Sequence, residues 1–212
     1  MKLRILPLAL VALTLPAMAQ DRSFSLFYDK APGTNGSITQ TGSSLNLKPD
    51  DYSGLGLKFG VAVAKWGPAT LSFDAAYRFK SKEDLTETQG GVSQKLGQFE
   101  WGYVSVGADF NFTKVVDFGG GLDLRAQQSR LIIEIPGASQ EIGVNRLSPW
   151  LKLHVGYTFD MAPVKPFVAL EGAWDLNAQS SAALSGTDID VNKAYGVGSP
   201  KSEWSLQAGI RF

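Results

Sequence analysis

The feature that most constrains this chain is a two-residue period. After residue 20, apolar side chains recur at alternate positions over eight stretches, while helical spacing is hard to find. A short first stretch sets Phe24, Leu26 and Tyr28 against Ser23, Ser25 and Asp29. The second sets Leu55, Leu57, Phe59, Val61 and Val63 against Gly56, Lys58, Gly60 and Ala62. The third sets Leu71, Phe73, Ala75, Tyr77 and Phe79 against Ser72, Asp74, Ala76 and Arg78. The fourth sets Val104, Val106, Ala108, Phe110 and Phe112 against Ser105, Gly107, Asp109 and Asn111, and the fifth Phe118, Leu122 and Leu124 against Gly119, Gly121, Asp123 and Arg125. The sixth sets Leu151, Leu153, Val155, Tyr157 and Phe159 against Trp150, Lys152, His154 and Gly156. The seventh sets Val168, Leu170, Trp174 and Leu176 against Ala169, Glu171, Ala173 and Asp175. The last sets Trp204, Leu206, Ala208, Ile210 and Phe212 against Glu203, Ser205, Gln207 and Arg211. Successive side chains of a strand point to opposite faces, so each stretch predicts a strand with one apolar and one polar side. No charge falls on any of the eight apolar faces.

Two places break phase. Phe99, Trp101 and Tyr103 have the opposite parity from Val104 onward, and Leu131, Ile133 and Ile135 are out of step with Leu124. Both read as bulges or as extensions above the main apolar band. The connections alternate in length. Tight turns are expected at 66–68, 113–117 and 160–163, and long polar loops at 31–51, 81–97 and 178–202. A shorter connection around 136–142 joins two long strands. This describes an up-and-down meander with short turns at one end and loops at the other.

Composition removes several other classes. Basic and acidic residues number 20 each among 212, which excludes a polybasic nucleic-acid binder and an acidic disordered chain. No apolar run reaches the ~20 residues of a membrane-spanning helix. With no cysteine, disulfide scaffolds, thiol catalysis and cysteine metal sites are excluded. Lys2 and Arg4, an uncharged stretch over residues 5–15, and Ala17-Met18-Ala19 form a secretory signal cleaved after Ala19. Residues 20–212 are then one exported domain.

An eight-stranded meander fits either a soluble barrel with its apolar face inside or a membrane barrel with that face toward lipid. Four features favour the second. The polar face is small and glycine-rich, in a chain with 23 glycines. Its charges nearly balance, with Lys58, Arg78, Arg125, Lys152 and Arg211 opposing Asp74, Asp109, Asp123, Glu171, Asp175 and Glu203. An enclosed lumen requires such pairing, because an unpaired buried charge is costly. Large aromatics (Trp66, Tyr77, Phe79, Phe112, Phe118, Tyr157, Phe159, Trp174, Trp204 and Phe212) gather near strand ends, as interfacial girdles do. Each stretch also alternates over about 9–11 residues, the length that crosses a bilayer at a tilt. The expected fold is an all-β, eight-stranded antiparallel up-and-down transmembrane β-barrel.

The last strand, with Trp204, Leu206, Ala208 and Ile210 ending on Phe212, resembles the C-terminal signal of outer-membrane barrels. The mature chain as a whole is similar to the small eight-stranded barrels of the OmpA, OmpX and opacity-protein type. That resemblance implies an outer-membrane location, contact with membrane lipid and lipopolysaccharide, and delivery by the barrel-assembly machinery, which reads the terminal strand. A monomer is expected, with no nucleic acid, cofactor or metal. The chain departs from OmpA itself in stopping at the barrel, with no peptidoglycan-binding domain after it.

Candidate chemistry is sparse. His154 is the only histidine. Lipid A deacylases of the PagL kind, which resemble this chain in size, use a lipid-facing His and a Ser two positions apart; here the flanking positions are Lys152 and Gly156. The His with adjacent Asp-Ser of PagP-like palmitoyltransferases is also missing. His154 is therefore expected in the lumen, opposite Ala169 or Glu171, paired to Glu171 or beside Lys152. Asp188, Asp190 and Asn192 begin like a calcium loop but have Lys193 and Ser199 where glycine and glutamate belong. Gly119-Gly120-Gly121 precedes no helix that could hold a phosphate, so close strand packing explains it better. Eight strands leave an interior that side chains fill, and His154 with the eleven charged residues above is expected to knit a plug. The leading expectation is a non-enzymatic barrel with a structural or surface-interaction role, its loops facing outward. The alternative is an OmpW-like conduit for small apolar solutes, with a pocket at Phe99, Trp101 and Tyr103. A lipid A-modifying enzyme is the third.

Overall fold

The structure, a computed structural model, describes residues 21–33, 36–40, 43–89, 92–113, 115–135, 138–161, 163–178, 181–184 and 199–212. The signal-peptide reading and the Asp188–Asn192 motif lie outside these residues. Eight strands close a barrel: β1 (Arg22–Ala31), β4 (Tyr52–Trp66), β5 (Ala69–Gln89), β6 (Val92–Thr113), β7 (Asp117–Ile135), β8 (Ala138–Thr158), β9 (Lys165–Asp175) and β11 (Ser202–Arg211). Each pairs antiparallel with its neighbours, and β1 closes the ring against β11 from Ser23↔Arg211 to Lys30↔Trp204. The chain ends join the seam, since the Arg22 amide donates to the Phe212 carbonyl at 2.8 Å and the Phe212 amide returns a bond to Arg22. The tightest turn holds Gly67 at φ +59°, which a primed hairpin turn requires and glycine adopts without strain.

The two faces separate as the parity predicts. Leu26, Leu55, Phe73, Leu122, Leu153, Leu170 and Leu206 are exposed on the outside, whereas Ser25, Asp123, Lys152, Glu171 and Ser205 are buried inside. A water-soluble barrel would have these sets exchanged. Exposed aromatics form two rings. Trp66, Phe118, Tyr157, Phe159 and Phe212 lie at the turn end, while Tyr28, Tyr77, Phe79, Trp174 and Trp204 lie toward the loop end. Neighbouring rings touch, with Phe112 stacked on Phe118 at 5.3 Å and Tyr157 edge-on to Phe159 at 5.0 Å. Val61 is an exception on the apolar face: it is buried just before a register shift between Ala62 and Ala64.

Three expectations need correction. Of the two readings of the phase breaks, the bulge fails in the strands that carry them, and for Phe99, Trp101 and Tyr103 the extension above the apolar band holds. β6 pairs with β7 in one unbroken register from Gly97↔Ile133 to Thr113↔Asp117, so Phe99, Trp101 and Tyr103 continue the lumen face of Ser105 and Asp109. The irregularity lies on the partner, where β5 bulges between Arg78 and Ser81. β7 likewise runs without a shift to Ile135, although the side chains of Leu131, Ile133 and Ile135 lie outside the described residues.

The second correction concerns the loops. The expected loop over 81–97 is mostly hairpin, with β5 and β6 paired as far as Gln89↔Val92. Within 31–51, β2 (Gly36–Gln40) and β3 (Ser43–Pro49) form a hairpin, and β3 adds to β5 at Leu47↔Glu87. β10 (Ser181–Leu184) pairs parallel to β2. The third correction follows from the second. β5 to β8 are 19 to 22 residues long, against 10 or 11 for β1, β9 and β11. The wall therefore stands higher on one side.

Candidate functional site

Each of the eight barrel strands sends inward-facing residues into the lumen, which is filled in tiers. The middle tier carries Lys58 on β4, Asp74 on β5, Asp109 on β6, Asp123 on β7, Lys152 on β8 and Glu171 on β9. Lys58 Nζ lies 2.7 Å from Glu171, 3.0 Å from Asp74 and 3.8 Å from Asp109. Lys152, wholly buried, lies 2.5 Å from Asp74, 2.6 Å from Asp123 and 3.0 Å from Asp109. Glycine makes room for these groups. Asp74 and Asp123 both face Gly107 across the ladder, and Asp109 and Lys152 both face Gly121. A Cβ on Gly107 would sit 2.8 Å from Asp74 Oδ1 and closer still to Asp123 Oδ1. At Gly121 it would meet the Ala108 carbonyl and Asp109 Oδ1. The glycine-rich face is thus the steric complement of the charges.

Above this tier lies an arginine–aromatic layer. Arg78 Nε donates to Asp29 at 2.6 Å, its Nη1 donates to the Trp101 carbonyl at 2.8 Å, and its guanidinium lies 4.3 Å from the Trp101 ring centre. Arg125 Nη1 donates to Glu203 at 2.7 Å. Its guanidinium is sandwiched between Tyr103 at 4.3 Å and Trp150 at 4.1 Å, while Tyr103 Oη donates to the same Glu203 oxygen at 3.0 Å. A desolvated cation over an aromatic face contributes about 2 kcal/mol, so Arg125 is held on three sides. Phe27, Ala31, Tyr52, Phe99, Trp101 and Tyr103 form one buried cluster. Tyr52 packs on Phe99 at 5.7 Å and on Trp101 at 5.8 Å.

Below the middle tier a cavity of about 390 Å³ opens at the turn end. Ser72, Asn111, His154, Thr158, Ala169 and Gln207 line it, and Lys58 and Glu171 close its inner end. His154 faces the lumen opposite Glu171 in register, but the expected pair does not form. Glu171 accepts from Lys58 instead, and His154 Nδ1 has no hydrogen-bond partner among the described residues.

The twelve expected network members therefore divide. Lys58, Asp74, Asp109, Asp123, Lys152 and Glu171 make the middle tier, and Arg78, Arg125 and Glu203 belong to the upper layer. Arg211 stands apart near the turns, donating to Asp117 at 2.9 Å and to Thr158 at 2.8 Å. Asp175 stands apart at the other end, bound by Arg146 at 3.0 Å and by Ser148. Asp29, Trp101, Tyr103 and Trp150 were missing from the expected network. All four sit on inward parity, which was the available signal. On the hairpin extension above the apolar band, a hydrogen bond from Lys95, 2.8 Å away, holds the Asp84 carboxyl below its ordinary range.

No protein-family model matches the chain, and no curated protein matches it. Solved structures do. The outer membrane protein OprG from Pseudomonas aeruginosa superposes with a TM-score of 0.52 at 11% identity, over 90% of this chain and 94% of that one. Neisserial surface protein A gives 0.46 at 12% identity over 90% and 94%. Ail, the attachment invasion locus protein of Yersinia pestis, gives 0.42 at 16% over 91% and 98%. At these identities the likeness is one of fold, carried by the OprG match. The chain has the fold of the small outer-membrane β-barrels.

Proposed function

We propose that this protein is an outer-membrane scaffold, a barrel with a sealed lumen that holds its strand extensions at the cell surface for structural or surface-interaction work. The observation that carries the reading is the pair of stacked tiers. Lys152, Arg78 and Arg125 are each at most 1% exposed, and all three are ion-paired across the lumen. The hairpins rise on one side of the barrel, and projecting segments of this kind carry function on rigid scaffolds, which supports the reading. The terminal strand ending in Phe212 fits recognition by the assembly machinery.

The conduit alternative needs an apolar pocket at Phe99, Trp101 and Tyr103. Those side chains do turn inward, but they are packed against Tyr52 and Phe27. A catalytic role is not part of the proposal: His154 faces the lumen, its ring beside Gly119, away from the lipid-facing surface.

Planar-bilayer recording of the refolded protein tests the seal. The expected record has no stable openings of porin size; such openings would overturn the reading. Protease shaving of intact cells tests the display, and cleavage confined to the loop-end segments is expected.

A further inference from the structure

Outward-facing charges on the barrel wall are concentrated on one side. On β5, β6 and β7, directly above lipid-facing Tyr77, Phe79 and Val104, stand Lys80, Lys82, Glu100 and Arg130. Register places Lys82 opposite Glu100 and Glu100 opposite Arg130, so the three form one row across the strands. Glu100 is the hub: its Oε1 lies 3.2 Å from Lys80 Nζ and 3.9 Å from Arg130 Nε. The Lys80 stem lies over Gly102, where a Cβ would come 2.9 Å from its Cγ. Arg130 also reaches Glu141 at 3.1 Å, and Lys82 has no ion pair among the described residues. Three cations thus face two carboxylates at the edge of the apolar band, and Lys80 and Arg130 remain 36% and 42% exposed. On the other side of the ring β1 carries Lys30, in register with Trp204 and paired to Asp51 at 3.4 Å, a balanced charge among the neutral rings of Tyr28, Trp174 and Trp204.

We propose that this belt binds the phosphate of an outer-leaflet glycolipid headgroup whose acyl chains lie against Tyr77, Phe79 and Val104. The proposal rests on reading the chain as a membrane barrel. A lipid seated on the loop-end half of the apolar wall has its headgroup at this height. Guanidinium and ammonium groups supply charge-assisted hydrogen bonds to phosphate oxygens. Glu100 holds Lys80 and Arg130 on either side of itself, which lowers the ordering cost of two long side chains. The belt is continuous with the lipid-facing band, which favours a lipid over a soluble protein as occupant.

The test uses the mature barrel in phosphatidylcholine nanodiscs doped with bisphosphoryl lipid A or with its dephosphorylated form, read by native mass spectrometry. The wild type is expected to retain the phosphorylated lipid preferentially. A Lys80→Gln/Lys82→Gln/Arg130→Gln variant should lose about tenfold or more of that retention, because each basic residue near an anionic surface adds to the attraction. A Lys65→Gln/Lys165→Gln variant, altered at the turn end, should retain it fully. Equal retention by the triple variant, an equal loss in the turn-end variant, or no preference for phosphate would each overturn the proposal. Heat-modifiable gel migration reports separately on folding and insertion. A wild type that fails to insert refutes the membrane reading, whereas one that inserts without discriminating phosphate refutes only the belt.

Discussion

Replacing Lys152 by methionine gives the most direct measure of the middle tier. The substitution keeps most of the side-chain volume and removes one charge from a site where the ammonium lies 2.5–3.0 Å from three carboxylates. Four carboxylates (Asp74, Asp109, Asp123 and Glu171) then share Lys58 and the more distant Arg125, whose Nη2 is 3.6 Å from Asp123. Removing one partner of a buried ion pair typically costs about 3–5 kcal/mol, because the remaining charge is left without compensation. The site is wholly buried, so that range needs no reduction for solvent screening. Guanidinium unfolding of the refolded barrel in lipid vesicles, followed by tryptophan fluorescence, should show a loss of this size. Adding Asp74→Asn to the Lys152→Met background removes one of the stranded charges. The double variant should recover more than about 1 kcal/mol relative to additivity, as directly contacting residues do. A single-variant loss below about 1 kcal/mol, the size of an exposed pair, would refute the view that the tier is desolvated. Simple additivity would show that the charges do not act as a unit.

Four further outcomes are expected. Gly121→Val drives a side chain into the Ala108 carbonyl and Asp109 and should cost about 1–3 kcal/mol or more, or abolish the heat-modifiable gel band. Gly143→Ala, with its nearest atom at 4.0 Å, should stay within about 0.5 kcal/mol in the same assay. The native chain has no cysteine, so Ser72→Cys puts a single thiol in the turn-end cavity. An impermeant methanethiosulfonate reagent should label it from the turn side of oriented proteoliposomes, and labelling from the loop side would refute the seal. Converting Lys58, Asp74, Asp109, Asp123, Lys152 and Glu171 together to apolar residues should lower refolding yield on gels far more than it lowers the unfolding midpoint of the molecules that do fold.

The faces of the barrel were legible because parity is a local property. Leu151, Leu153 and Val155 against Trp150, Lys152 and His154 declare their sides without reference to any other strand. Contacts across the lumen were not legible. Which carboxylate meets Lys58 depends on the stagger between strands, so Glu171, 113 residues away, ranks with Asp74 only once the ring has closed. The height of the wall was hidden for another reason. Above the apolar band neither face has to be apolar, so Lys82 and Asp84 read as loop although the backbone ladder continues through them. The phase break at Tyr103 and Val104 arose the same way. Inward aromatics look like misplaced lipid-facing ones until Tyr52 is seen against Trp101 and Arg125 over Tyr103.

The interior need not have been charged. Well-packed apolar side chains would fill the lumen with no desolvation penalty, and replacing a buried ion pair in this way is often neutral or stabilising. A strand apolar on both faces, however, could slip by one residue at little cost, because either face would satisfy the lipid. With Lys152, Asp123 and Asp109 on the inner face, a one-residue slip turns charges outward, at up to about 2–4 kcal/mol for a lysine or arginine near the bilayer midplane. The glycines strengthen the restriction. Gly107 and Gly121 lie where carboxylates must fit, and a slipped register would set a side chain against a side chain there. Charge on the inner face and glycine across from it are two statements of one register. The middle tier then serves less to add stability than to leave the chain a single way of closing.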